Sequence, residues 1–190
     1  MSDRAQLQPK VENGEGRARP FLTAAMWVIT ALEWSGKIIA FAMLSFTFVT
    51  LLVNVILRYT TGSGVAWAYE VHALTLPWLV AGGIVIAAAR ARNIAISLLP
   101  DLLTPGLQRV LMIGVHIIIA VIAVNVLLSS QPILKASKFQ TLSTLGVKQV
   151  WGYSSLVYAF ASMAVIAVIS AVHAIFIAPE KGAPEHSSLS

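Results

Sequence analysis

Residues Ile38–Glu70 read IIAFAMLSFTFVTLLVNVILRYTTGSGVAWAYE. The first 20 of them, Ile38–Leu57, carry no charge. At ~1.5 Å rise per residue they make a helix of ~30 Å, the thickness of a hydrocarbon core. Arg58 and Tyr59 close the run, and Gly62 and Gly64 then break the helix in a short turn. Trp67, Tyr69 and Glu70 open a second apolar stretch. Aromatic and charged residues gathered at such a turn are what a membrane–water boundary selects.

Three more charge-free runs follow, Val71–Ala89, Val110–Leu134 and Gln149–Pro179, of 19, 25 and 31 residues. The four runs hold half of the 190 residues, and only 11% of the chain is charged, against ~25% in a soluble domain. The expected fold is therefore an all-α membrane protein with four transmembrane helices, at about 38–57, 71–89, 110–128 and 152–177. These would form one compact bundle over residues 21–178. A secreted domain and a soluble enzyme are excluded. The net charge of +5 does not indicate nucleic acid, because no block of five like charges exists and basic residues gather in the cytoplasmic loops of membrane proteins. With no cysteine, disulfides, thiol catalysis and cysteine-bound metals are excluded.

Outside the spans, residues 1–20 are polar and read as a disordered cytoplasmic tail. Phe21–Leu32 is too short to span and reads as an interfacial helix, with Trp27 and Trp34 at headgroup depth and Glu33 paired to Lys37 at i,i+4. It is not read as a signal peptide, since Glu33 and Trp34 stand where a small-residue cleavage site belongs. The loop Asn93–Arg109 is apolar but interrupted, and is expected along the membrane surface. Thr104 and Pro105 make a good helix start, and Pro77 should kink the second span. The stretch Ser130–Lys148 is expected as a loop, and residues 179–190 as a cytoplasmic tail. With the N-terminus inside, nine Lys and Arg lie on the cytoplasmic side and four, Arg58, Lys135, Lys138 and Lys148, outside. That imbalance places both termini in the cytoplasm.

No Asp, Glu, Lys or Arg falls inside any of the four runs. An ion-coupled carrier needs anionic or carbonyl ligands near the midplane, usually on broken helices in paired repeats, and a nucleotide-driven pump needs a phosphate-binding loop. This chain has neither, so it makes a poor transporter by itself. A competing class is a redox-enzyme membrane anchor holding haem between His116 and His173, both placed within ~10 Å of the cytoplasmic face. The plain alternative is two interfacial histidines bonded to neighbouring helices or water. Arg58 and Glu70 flank the outer turn and could pair as a structural clamp, or simply reach toward water. Asn54, one turn before Arg58, could hydrogen-bond across helices. Gly83 with Ala87, Ala167 with Ala171 and Ser170 with Ala174 would permit close helix contact, either within the bundle or with a larger membrane partner.

At the outer turn, Asn54-Val-Ile-Leu-Arg58-Tyr59 followed by Trp67-Ala-Tyr-Glu70 resembles the small membrane subunit of tripartite ATP-independent periplasmic (TRAP) transporters. Trp78-Leu-Val-Ala-Gly82-Gly83, the basic turn Arg90-Ala-Arg92-Asn-Ile94-Ala-Ile96 and Gln140-Thr-Leu-Ser-Thr-Leu145-Gly146 continue the similarity in order and spacing. It covers about Trp34 to Ile177. The chain departs from the pattern at Tyr69, where a second carboxylate is common, and at Asn93, Ser97, Val147 and Lys148. The resemblance implies a non-enzymatic scaffold in a bacterial inner membrane, binding no cofactor. Its implied partners are a large membrane subunit, which carries the substrate and sodium sites, and a periplasmic binding protein that delivers an organic acid. Asn54, Arg58, Trp67, Glu70, Trp78, Arg90 and Arg92 become structural or interface candidates. Lys135, Lys138 and Lys148 become candidates for docking the binding protein, with solvated loop charges as the plain alternative.

Overall fold

The computed structural model describes residues 15–98 and 105–176, with side chains placed for 23–91 and 106–175. Five helices follow in order: α1 (Glu15–Thr61), α2 (Ala66–Leu98), α3 (Pro105–Ser129), α4 (Gln131–Ser137) and α5 (Val150–Phe176). All except α4 are long and apolar enough to cross a membrane. The four expected spans fall on these four helices.

Several boundaries differ from expectation. The interfacial helix and the first span are one continuous helix, α1, which begins at Glu15, inside the stretch assigned to the tail. Glu33 and Lys37 do not interrupt it because they neutralise each other one turn apart, at 2.7 Å. The second helix runs past Arg90 and Arg92 to Leu98, so the start of the expected surface loop is helical. Pro105 opens α3 as expected, whereas Thr104 and the tail 179–190 lie outside the described residues. Part of the loop after α3 is the short helix α4. Pro132 sits in its first turn, where a missing N–H costs nothing.

The helices stand in an open row, α1–α2–α5–α3, rather than the compact bundle expected: the extensive contacts are α1 with α2, α2 with α5, and α5 with α3. Burial agrees. Within the most apolar window, 11% of α1 and of α3 is buried, against 28% of α2 and 39% of α5. A row leaves two broad apolar faces uncovered, and a helix apolar on all sides is stable only against lipid or other protein. Phe41, Phe48, Ile118 and Val121 are among the exposed residues on the outer helices.

Close packing of α1 on α2 depends on two glycines. A Cβ on Gly82 would lie 2.8 Å from the Gly36 carbonyl oxygen and 3.0 Å from the Ala40 nitrogen. At Gly83, expected to permit close contact within the bundle or with a partner, a Cβ would meet nothing of this chain within 4 Å. One residue is ~100° of helix, which is enough to turn Gly83 onto the open face. Nearer Arg90, Ile29, Val85, Ala89 and Ile166 join α1, α2 and α5 in one apolar cluster. Toward the turn, Thr47 donates to Thr75 at 2.9 Å in a buried bond between α1 and α2.

Candidate functional site

The end of the row where α1 meets α2 and α5 begins, called the turn end below, carries most of the polar candidates. Asn54 Oδ1 accepts the Val65 N–H at 2.8 Å, so this side chain closes the α1–α2 turn from about two helical turns inside α1. Gly62 adopts φ +75° there, in the left-handed region that favours glycine. Asn54 thus bonds a backbone group of the turn rather than a neighbouring helix.

Glu70 does not clamp Arg58. Among the described residues no ion pair joins them, and Arg58 is exposed. Instead the Glu70 carboxylate reaches the segment before α5. The Thr144 N–H donates to both oxygens at 2.9 Å, and the Leu145 N–H donates to Oε2 at 2.8 Å. That segment is a tight hairpin. Thr141 bridges Lys148, Gln149 N–H donates to the Gln140 carbonyl at 3.0 Å, and Leu142 N–H donates to the Val147 carbonyl at 2.9 Å. Gly146, at φ +64°, lets the chain reverse. The reversal aims consecutive N–H groups outward as an anion cradle, which Glu70 fills from within the same chain. Competition for the carboxylate explains the choice of partner. Two fixed amides pair with a carboxylate more favourably than one long, solvated arginine side chain does.

Trp78 on α2 donates its indole N–H to the Trp151 carbonyl at the start of α5, at 2.8 Å. Its ring lies 5.8 Å from that of Tyr158, tilted by 34°. The Tyr158 hydroxyl meets Ser35 of α1 at 2.6 Å. Ser35 already donates to the Leu32 carbonyl, so Tyr158 is the donor. Trp78 and Tyr158 therefore tie three helices together. Trp67 is half-buried. Lys135, Lys138 and Lys148 lie on α4 and the hairpin, with Lys138 exposed and Phe139 beside it 89% exposed.

At the opposite end, Arg90 Nε donates to Glu33 Oε1 at 3.3 Å, and Lys37 also lies over the Trp34 ring, 5.2 Å from its centre. Arg90 thus joins α2 to α1. The Arg92 side chain lies outside the described residues. Arg109 donates to the Ala174 carbonyl at 3.0 Å and to the Ile175 carbonyl, capping the end of α5 from α3. In the sequence Arg109 counted only toward orientation.

His116 is 8% exposed and its Nδ1 donates to the Met112 carbonyl at 2.7 Å, within its own helix. His173 lies half-buried in the last turn of α5. No group of three or more His, Asp or Glu side chains is gathered to hold a metal among the described residues.

Residues 47–176 match the family model described as tripartite ATP-independent periplasmic transporters, DctQ component. The match covers most of the chain and reaches all four apolar helices, and the chain belongs to this family of membrane transporter components. Among curated proteins, the uncharacterized protein y4mM of Sinorhizobium fredii (strain NBRC 101917 / NGR234) is 28% identical over 124 residues. Those residues are 63% of this chain and 23% of that protein, so the chain spans about a quarter of its relative's length. No solved structure matches. The family favours a transporter component over the haem-anchor alternative.

Proposed function

We propose that this chain is the small scaffold subunit of a TRAP-type secondary transporter, bracing a large permease subunit during sodium-coupled, binding-protein-dependent uptake of organic acids. The observation that carries the reading is the family match, over helices whose charge-free runs contain no Asp, Glu, Lys or Arg. Transport of an anion with sodium needs polar ligands at the midplane. Here the polar groups at the turn end are instead bonded within the chain: Asn54 to Val65, Thr47 to Thr75, Glu70 to the hairpin. Such groups fix helix positions and leave coupling to another subunit. The open row offers that subunit a broad apolar face.

In this reading both termini are cytoplasmic in the bacterial inner membrane, and the turn end faces the periplasm. Lys135, Lys138 and Lys148 then form a basic surface for an acidic face of the binding protein, which would speed encounter more than it tightens the complex. The test is reconstitution of the large subunit with its binding protein in vesicles, with and without this chain. Uptake of organic acids that needs both a sodium gradient and this chain supports the reading. Equal uptake without it, or a haem Soret band in the pure chain, refutes it. Charge reversal of the three lysines should slow uptake at limiting binding protein; unchanged uptake and affinity would dismiss the docking role.

A further inference from the structure

A groove runs along the junction of α2 and α5. Its deeper part is lined by Leu76, Val80, Ile84, Leu156 and Phe160 and holds about 430 Å³. A smaller depression of about 120 Å³ adjoins it at the turn end, lined by Ala73, Gln149, Gly152 and Tyr153. Pro77 lines both. Proline has no N–H, so the Ala73 carbonyl, four residues earlier, lacks its helical donor at this point. The groove is thus apolar along its length and polar at one end, where an amide, a phenol and that carbonyl lie.

We propose that this groove holds one acyl chain of a phospholipid from the leaflet at the turn end, with the phosphate beside Lys148. Three observations select that occupant. From Gln149 to Phe160 is 11 residues of chain, ~16 Å if helical, which matches one leaflet of a ~30 Å core. Lys148 directly precedes Gln149, and Lys135 and Lys138 lie at the same end. The nearby Glu70 carboxylate, fixed by the Thr144 and Leu145 amides, is one negative charge against these three lysines, so the local charge is positive. A partner helix is the other candidate. It is ~10 Å across, and α2 and α5 pack directly against each other, so a helix would ride over the groove without filling it. Such a lipid site needs only helices that span a membrane, and it stands or falls apart from the transporter reading.

The experiment uses the full chain in bilayer discs of equal phosphatidylglycerol and phosphatidylcholine. A benzophenone side chain at Leu156 is irradiated, and the adduct is weighed. A phospholipid adduct is expected; a protein adduct from cell membranes overturns the proposal. Leu156→Trp, which fills the groove, should lower the lipid retained through detergent exchange in native mass spectrometry, while Val165→Trp, elsewhere on α5, should not. Equal retention in the two variants overturns it, and the adduct reports independently should L156W fold poorly. Lys148→Gln should reduce the preference for phosphatidylglycerol by about threefold, the effect of one exposed ion pair. An unchanged preference overturns the headgroup assignment.

Discussion

Replacing Gly82 by alanine should destabilise the protein, while the same change at Gly83, one residue on, should stabilise it. A methyl at position 82 would lie 2.8 Å from the Gly36 carbonyl oxygen, where ordinary contact begins near 3.4 Å. The gap must therefore open by about 0.6 Å. Its nearest neighbours are backbone atoms of α1, so no side chain can rotate away and the helix must move as a unit. The same displacement would stretch the 2.9 Å Thr47–Thr75 bond toward 3.5 Å, the limit of a useful hydrogen bond, if it carried through to that level. Overpacking of this kind costs about 1–3 kcal/mol, offset by up to ~1 kcal/mol for removing a helical glycine. A net loss of ~1–2 kcal/mol is expected for G82A. At position 83 nothing lies within 4 Å, so only the helix term remains, a gain of about 0.5–1 kcal/mol. Reversible unfolding of the pure chain in bicelles, by steric trapping or detergent titration, measures both. Equal or greater stability in G82A, or a loss in G83A, would refute the assigned helix contact.

Other outcomes follow from the polar contacts. Glu70→Ala should leave the helices intact but speed hydrogen exchange at the Thr144 and Leu145 amides; unchanged protection would mean that Glu70 does not hold the hairpin. Arg58→Gln should leave those amides as protected as before, whereas a clamp between Arg58 and Glu70 would lower their protection. Asn54→Leu strands the Val65 N–H and should cost about 1–2 kcal/mol in the same unfolding assay. Glu33→Gln should cost less than ~1 kcal/mol, because its ion pairs with Lys37 and Arg90 are solvent-screened, and the loss should vanish in high salt.

Much of the fold is written in the distribution of charge. A run of twenty apolar residues leaves the backbone no choice in lipid but a helix, so all four spans were legible. Where the pattern misleads, two physical effects compete. Glu33 and Lys37 look like an interruption, yet as an i,i+4 pair they are compatible with an unbroken helix. Pro132 looks like a breaker, yet in a first turn it is a starter. The Glu70 contact was harder, because its partners lie 74 and 75 residues away and are backbone amides, which carry no signature of their own. A hint existed in the Gln140–Gly146 stretch, whose terminal glycine supports a reversal that presents consecutive N–H groups. Gly82 and Gly83 could not be told apart by spacing alone, since a one-residue shift changes the face and nothing local says which face meets α1.

The helix order has a consequence for how the chain is assembled. The third long helix to be synthesised finds its main neighbour in the fourth, which emerges later and takes the place between it and the first pair. The α1–α2 hairpin can close as soon as Val65 and the helix behind it have emerged, guided by contacts between residues near in sequence. Until α5 arrives, α3 lacks its main neighbour within the chain, and Arg109 has no helix end to cap. Membrane insertion and final packing are therefore separated in time. A chain stopped before Val150 would leave α3 without the helix that joins it to the α1–α2 pair.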